Sequence, residues 1–258
     1  MYAGRNRSLP PLALAYHGVA DVEFAADPHG LFVSPRDFKR HVGRLRAWGY
    51  TLTTFGGLAA LAADGEAEGH AALTFDDGLA DNLHTLAPLL EELHAPATVF
   101  AVSGWLGRPH PDAGWTRLLT EDELRELARL GVEIGSHGES HRDLGSAAYE
   151  EALGELARSR EALTEVLGAP VDVAAYPYGR ASLAARKACR AAGYSAACRS
   201  TAAGSWTDPY NLPRQDMEPG STLLGLRLKR ADRYEQLMRL RAARAVRRAV
   251  RRMRAVVA

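Results

Sequence analysis

The sequence predicts an α/β protein built on a parallel sheet, on three observations. Short apolar runs alternate with longer stretches of helical spacing, the rhythm of strand–helix–strand units. A length of 258 residues suits one large domain, since α/β barrels of roughly 200 to 250 residues fold as single units. A hydrophobic content of 47% provides for a sizeable core. Pattern alone leaves two architectures open, an open doubly wound sheet or a closed (β/α) barrel.

In chain order, Leu12 to Tyr16, Ala71 to Phe75, Thr98 to Val102, Val132 to Gly135, Val171 to Tyr176 and Tyr194 to Cys198 read as strands. Between them, Pro35 to Trp48, Leu79 to Leu93, Glu121 to Leu130, Ala147 to Leu167 and Leu183 to Ala192 carry the 3.6-residue spacing of amphipathic helices. Thr120 followed by Glu123 predicts a capping box. The Ala-rich segment from Leu58 to Ala72, around Asp64-Gly65, reads as a helix end and loop.

Charge divides the chain. Residues 227–258 hold eleven arginines and Lys229 against Asp232 and Glu235, a net of +10, which leaves −9 on residues 1–226. We therefore expect one main domain over 1–226 and a basic C-terminal amphipathic helix over 227–258, with Leu237, Ala242, Val246, Val250 and Met253 on its apolar face. Such a helix suits either its own acidic domain, whose −9 offsets the +10, or an anionic membrane surface. Nucleic acid is disfavoured, because Tyr234 is its only aromatic.

Cys189 and Cys198 are the only cysteines, which excludes a disulfide framework or a Cys-rich metal site. The run from Leu9 to Tyr16 is interrupted by Pro10 and Pro11 and lacks an A-x-A-like cleavage site, so no signal peptide is expected. No apolar stretch reaches the roughly 18 residues of a membrane-spanning helix. These features predict a cytoplasmic protein, peripheral at the inner membrane face if its tail binds lipid.

Three strand ends carry the chemistry. Leu73-Thr74-Phe75-Asp76-Asp77-Gly78 is an apolar strand ending in two carboxylates, which a turn could aim into one cavity, one to bind a cation and one to accept a proton; it also reads as a plain Asp-Gly turn. Ser136-His137-Gly138-Glu139-Ser140-His141 puts two histidines four residues apart, a spacing that on a helical turn lets both rings reach one ion. Two histidines and one carboxylate complete the three-ligand, open-site pattern of hydrolytic metal centres. At Ala175-Tyr176-Pro177-Tyr178-Gly179, Pro177 and Gly179 set a sharp turn that can aim a backbone N–H into a cavity.

Together and in this order, the three motifs resemble the polysaccharide deacetylase family, carbohydrate esterase family four, or NodB-homology domain, over about residues 10–215. The resemblance implies a distorted (β/α) barrel, usually counted as seven-stranded. It implies Asp76 as the base, with Asp77, His137 and His141 holding one divalent ion, zinc foremost and Co, Ni, Mn or Fe as alternatives. It implies the Tyr178 backbone N–H as an oxyanion donor. Two family features are missing. Ala175 stands where the third motif often has an arginine, for which Arg214 in Asn211-Leu212-Pro213-Arg214 is the substitute, and no histidine follows His141 to protonate the leaving amine. His17, at the end of the first strand, is the replacement candidate for that acid. Trp105, Trp115 and Trp206 are candidates for stacking on a sugar ring. The implied substrate is an N-acetylated, GlcNAc-containing saccharide, with O-acetyl carbohydrate hydrolysis and a sugar-binding pseudoenzyme as the alternatives.

Overall fold

The computed structural model describes residues 9–221 and 225, apart from 24, 112 and 201–203. The basic segment 227–258, and with it the expected C-terminal helix and membrane contact, lies outside the described residues. Among the described residues no helix is long and apolar enough to cross a membrane.

The chain opens with β1 (Leu12–Tyr16), β2 (Gly18–Val19) and β3 (Phe32–Val33), of which the last two pair with each other. Helix α1 (Pro35–Ala47) starts where the Ser34 hydroxyl accepts the Asp37 N–H, with Pro35 preset for the first turn. It buries Phe38, His41, Val42 and Leu45, one helical stripe. Next come β4 (Thr51–Thr53), α2 (Phe55–Ala63) and β5 (His70–Phe75). A π-helical turn at Asn82–Leu86 leads into α3 (Ala87–Glu92), then β6 (Thr98–Ala101) and a hairpin of β7 (Pro109–His110) and β8 (Ala113–Arg117). Helix α4 (Glu121–Arg129) carries the Thr120–Glu123 capping box read from the sequence. The remaining elements are β9 (Glu133–Ser136), α5 (Tyr149–Leu167), β10 (Val173–Ala175), α6 (Leu183–Ala191), β11 (Ala196–Ser200) and β12 (Leu212–Asp216).

Seven parallel strands close into a ring, in the order β1, β5, β6, β9, β10, β11, β12 and back to β1. The closed barrel is therefore the architecture, of the two that pattern left open. It is distorted at β5, whose N-terminal half pairs with β4 while its last residues, Thr74 and Phe75, pair with β6.

Strand alternation assigns the two cores. On β1, β5 and β6, Leu12, Leu14, Leu73, Phe75 and Val99 face the helix layer, while Ala13, Ala72 and Phe100 face the barrel interior. Val173, Ala175, Ala196, Cys198 and Leu212 complete the interior from β10, β11 and β12. Helix α2 sits apart from the outer helices: Phe55, Leu58 and Ala59 join the interior cluster and plug one end of the barrel. That end is the N-terminal one, because the Phe55 N–H bonds Thr98 Oγ1 and the Gly56 N–H bonds a Glu133 carboxylate oxygen, at the first residues of β6 and β9. The C-terminal ends are left open for chemistry.

Six ring strands coincide with the apolar runs of the sequence. The seventh, β12, carries Pro213, Arg214 and Gln215, so it has no such run. The segment from Leu58 to Ala72 holds the end of α2, a loop and the start of β5, and so reaches further into regular structure than a helix end and loop. The helical pattern from Leu79 to Leu93 begins as a π turn rather than an α-helix, and the ladder changes near Pro88, which has no N–H to donate.

Candidate active site

The two carboxylates after β5 face one cavity because the chain reverses there. Asp77 has φ 70° and Gly78 φ 78°, two consecutive left-handed residues. A Cβ at Gly78 would also press on Ala101, 3.2 Å away. Asp76 is held from behind by its own N–H, which bonds the Tyr16 carbonyl at the end of β1.

Asp76 is buried and meets Arg214 in a two-pronged pair. Arg214 Nη1 donates to Asp76 Oδ1 at 2.6 Å and Nη2 to Oδ2 at 2.7 Å, while Nη1 also reaches Thr74 Oγ1 at 2.9 Å. Arg214 is fully buried inside the barrel, its guanidinium over the Phe100 ring, in room left by the small interior residues Ala13, Ala72 and Ala175. Burial pushes the Asp76 pKa up, but the charges of Arg214 and His137 and the Arg214 hydrogen bond outweigh it and hold the carboxyl below its usual value.

Asp77 splits its two oxygens. Oδ1 lies 3.7 Å from His137 Nε2 and 3.5 Å from His141 Nε2 and is buried without a hydrogen-bond partner. Oδ2 lies 3.3 Å from His110 Nε2 and 4.0 Å from His17 Nε2. Burial would raise this carboxyl too, but the His110 hydrogen bond and the surrounding histidines bring it below the ordinary range.

The two ligand-type histidines converge by a loop, not the helical turn expected from their spacing. His137 directly follows β9, and Gly138 (φ 80°) and His141 (φ 60°) then fold the chain back. Helix α5 holds this loop: Glu155 accepts both the N–H and the hydroxyl of Ser140, and Ser159 bonds the Gly138 carbonyl and Ser136 Oγ. His137 Nδ1 donates to the Ala175 carbonyl at 2.8 Å, which leaves Nε2 as the lone-pair nitrogen facing Asp77. Burial, then the neighbouring His137, pushes the His141 pKa down to about 4, so His141 is neutral at pH 7 and able to ligate.

Asp77, His137 and His141 offer ligand atoms all within 4.8 Å of one another. The orphaned Asp77 oxygen and the two imidazole nitrogens fit a divalent cation, which would supply the missing partner.

Tyr178 stands above the site with φ 58°, its ring 4.7 Å from that of His141. The hydrogen bonds of its turn run from Gly179 to Tyr176 and from Arg180 to Pro177, so neither uses the Tyr178 N–H. His17 is about one-third exposed, and its carbonyl accepts the Asn82 side chain. Of the three candidate tryptophans, Trp105 packs on a site residue, its ring 5.1 Å from that of His141. Trp115 lies over Phe32, and Trp206 packs against the barrel interior cluster. His110 was not legible as a site residue: it stands on a two-residue strand in a hairpin with no motif around it.

Comparison with known proteins bears on the family and the fold. The sequence profile of the family described as polysaccharide deacetylase matches residues 64–197, just over half of the chain. A Bacillus subtilis (strain 168) protein assigned by name to the polysaccharide deacetylases, YxkH, is 28% identical over 211 residues, covering 80% of this chain and 71% of its own. The deacetylase PplD of Streptococcus pyogenes, solved in complex with acetate, superposes with a TM-score of 0.73 at 21% identity, over 86% of this chain and 98% of its own. A de-N-acetylase from Aggregatibacter actinomycetemcomitans superposes at 0.71 and 21% identity, over 84% and 98%. At these identities the structural likeness speaks for the fold.

Proposed function

The chain belongs to the polysaccharide deacetylase family, and we propose that it removes an N-acetyl group from a GlcNAc-containing saccharide or glycan precursor with the help of one divalent ion, zinc foremost. The observation that carries this reading is the buried, partnerless Asp77 Oδ1 facing two imidazole nitrogens, next to a second carboxylate paired with an arginine.

Asp77, His137 and His141 would hold the ion, and open positions would remain for water and substrate. When bound, such an ion lowers the pKa of its water to about 7 and polarises the acetyl carbonyl. Asp76 would accept a proton from a water held in one of those open positions. A carboxylate held low by Arg214 is a weak base, so it suits a water already made acidic and stays ionised for each turnover. The Tyr178 N–H, unused by its own turn, stabilises the oxyanion. Arg214 keeps both Asp76 oxygens in place, which fills the gap left by Ala175 in the third motif and weakens the pseudoenzyme reading.

His17 is the candidate to protonate the leaving amine. It lies 4.0 Å from Asp77 Oδ2 yet remains about one-third exposed, so it can reach a bound substrate. An amine leaves poorly without a proton, whereas an alkoxide needs one less, and this favours the amide as the substrate that exploits His17.

The test is acetate release from N-acetylated and O-acetylated oligosaccharides by the metal-loaded protein. We expect release from the N-acetyl substrate, a loss of about 10² to 10⁴ in kcat for Asp76→Asn with its metal retained, and a larger loss on N-acetyl than on O-acetyl substrate for His17→Ala. Release from the O-acetyl substrate alone would make the protein an esterase. Sugar binding with no release from either would make it a pseudoenzyme.

A further inference from the structure

We propose that His110 is a positioning residue for the metal, which holds Asp77 Oδ2 so that Oδ1 is the oxygen presented to His137 and His141. The proposal rests on the metal-binding reading above.

Its basis is the unequal surroundings of the two Asp77 oxygens. Oδ2 lies within hydrogen-bonding distance of His110 Nε2, at 3.3 Å, whereas Oδ1 has no hydrogen-bond partner and faces both ligand histidines. A carboxylate only accepts, so the Nε2 in this bond carries the proton and its lone pair is not available to an ion. Rotation about the last torsion of an aspartate is broad and nearly two-fold. A donor on one oxygen is therefore what fixes which oxygen meets the metal. Among the described residues, the cluster of mutually close ligand atoms comprises Asp77, His137 and His141 and leaves His110 out, which separates a positioning role from a ligand role.

The hairpin is built to deliver this bond. His110 is 4% exposed on β7, with the Trp105 ring edge-on against it at 5.9 Å. The strand paired with β7 leads into Arg117 and Leu119, whose backbones bond Ala80 and Gly78, so the hairpin is stitched to the same turn that carries Asp77. Donor and acceptor are thus fixed in one local unit. In metal sites such a partner sets the orientation and basicity of the ligand it touches, and removing it typically weakens metal binding about ten- to a hundred-fold.

The experiment measures the zinc dissociation constant of the full chain by competition with a chromophoric chelator, for wild type, His110→Ala and His110→Gln, with kcat and thermal unfolding of each metal-free protein alongside. Gln can place an amide N–H near the position of Nε2. We expect His110→Ala to bind zinc about ten- to a hundred-fold more weakly while its metal-free form still unfolds cooperatively, and His110→Gln to recover most of the loss. Unchanged zinc affinity in His110→Ala overturns the proposal, as does an equal loss in both variants. If His110→Ala does not fold, His110→Gln decides alone: near-wild-type affinity supports the proposal, and a loss of ten-fold or more overturns it. A changed absorption band in the cobalt-loaded His110→Gln protein would make His110 a ligand and overturn it as well. Failure of the wild type itself to bind zinc would instead overturn the metal-binding reading.

Discussion

Arg214 is the residue whose chemistry depends most on its surroundings. A guanidinium with no exposed surface is tolerated because Asp76 takes two of its donors and Thr74 a third contact, and because Phe100 offers a ring face. Removing one member of such a pair leaves the other charge buried and alone. We predict that Arg214→Met costs about 3 to 5 kcal/mol of stability, measured by urea unfolding. It should also lower kcat by at least about 10², because Asp76 then loses the charge that keeps it ionised. The Asp76→Asn, Arg214→Met double variant should be more stable than Arg214→Met alone. Wild-type turnover by Arg214→Met would show that the pair does not govern the base.

At the scale of elements, the site is a set of loops held by neighbouring elements. Helix α5 spends two polar residues of its buried face, Glu155 and Ser159, on the loop between His137 and His141. The π turn after β5 does the corresponding work for β1 and β2: Asn82 holds the His17 carbonyl, and Asp81, just before the turn, accepts the Val19 N–H at 2.7 Å. Its other oxygen is buried without a partner, and burial pushes the Asp81 pKa up to about 6, from 3.8. A carboxyl raised in the folded state binds its proton more tightly there than in the unfolded chain. Its contribution to stability is therefore fully present below pH 4 and is lost as the pH rises through 6. We predict that Asp81→Asn, which keeps a carbonyl for Val19, gains on the wild type by about 2 kcal/mol between pH 4 and pH 7. Urea unfolding of both metal-free proteins at the two pH values checks this. A difference that does not change with pH would remove Asp81 as a source of the pH dependence.

At the scale of the whole molecule, the barrel is plugged by α2 at the N-terminal ends of its strands and open at the other, where the site gathers. Three segments far apart in sequence, near residues 77, 137 and 214, meet there. A ligand that binds only the folded chain stabilises it by about 4 kcal/mol at a thousand times its dissociation constant. For a domain of this size that corresponds to roughly 10 °C in the unfolding midpoint. We predict a drop of that order when a chelator strips the metal, restored by added zinc, and no chelator effect in Asp77→Asn. Scanning calorimetry with and without chelator is the measurement, and an unchanged wild-type midpoint would mean that no ion links the segments of Asp77 and His137.

The sequence by itself determined what depends on near neighbours. Short apolar runs located six of the seven ring strands and period-3.6 spacing the outer helices, because each strand buries both its faces, one inward and one outward, and so is apolar along its own few residues. The Thr120 cap was legible for the same reason, and so was the position of three polar motifs at strand ends. Barrel closure, the loop path between His137 and His141 and the role of β12 were decided by tertiary structure. A strand carrying Pro213 and Arg214 looks polar until the arginine is seen to face the interior and meet an aspartate 138 positions earlier. His110 is the sharpest case. Its partner Asp77 is 33 residues away, and the two meet only because a short hairpin pairs with the turn after β5, a contact set by how the chain packs and carried by no local pattern.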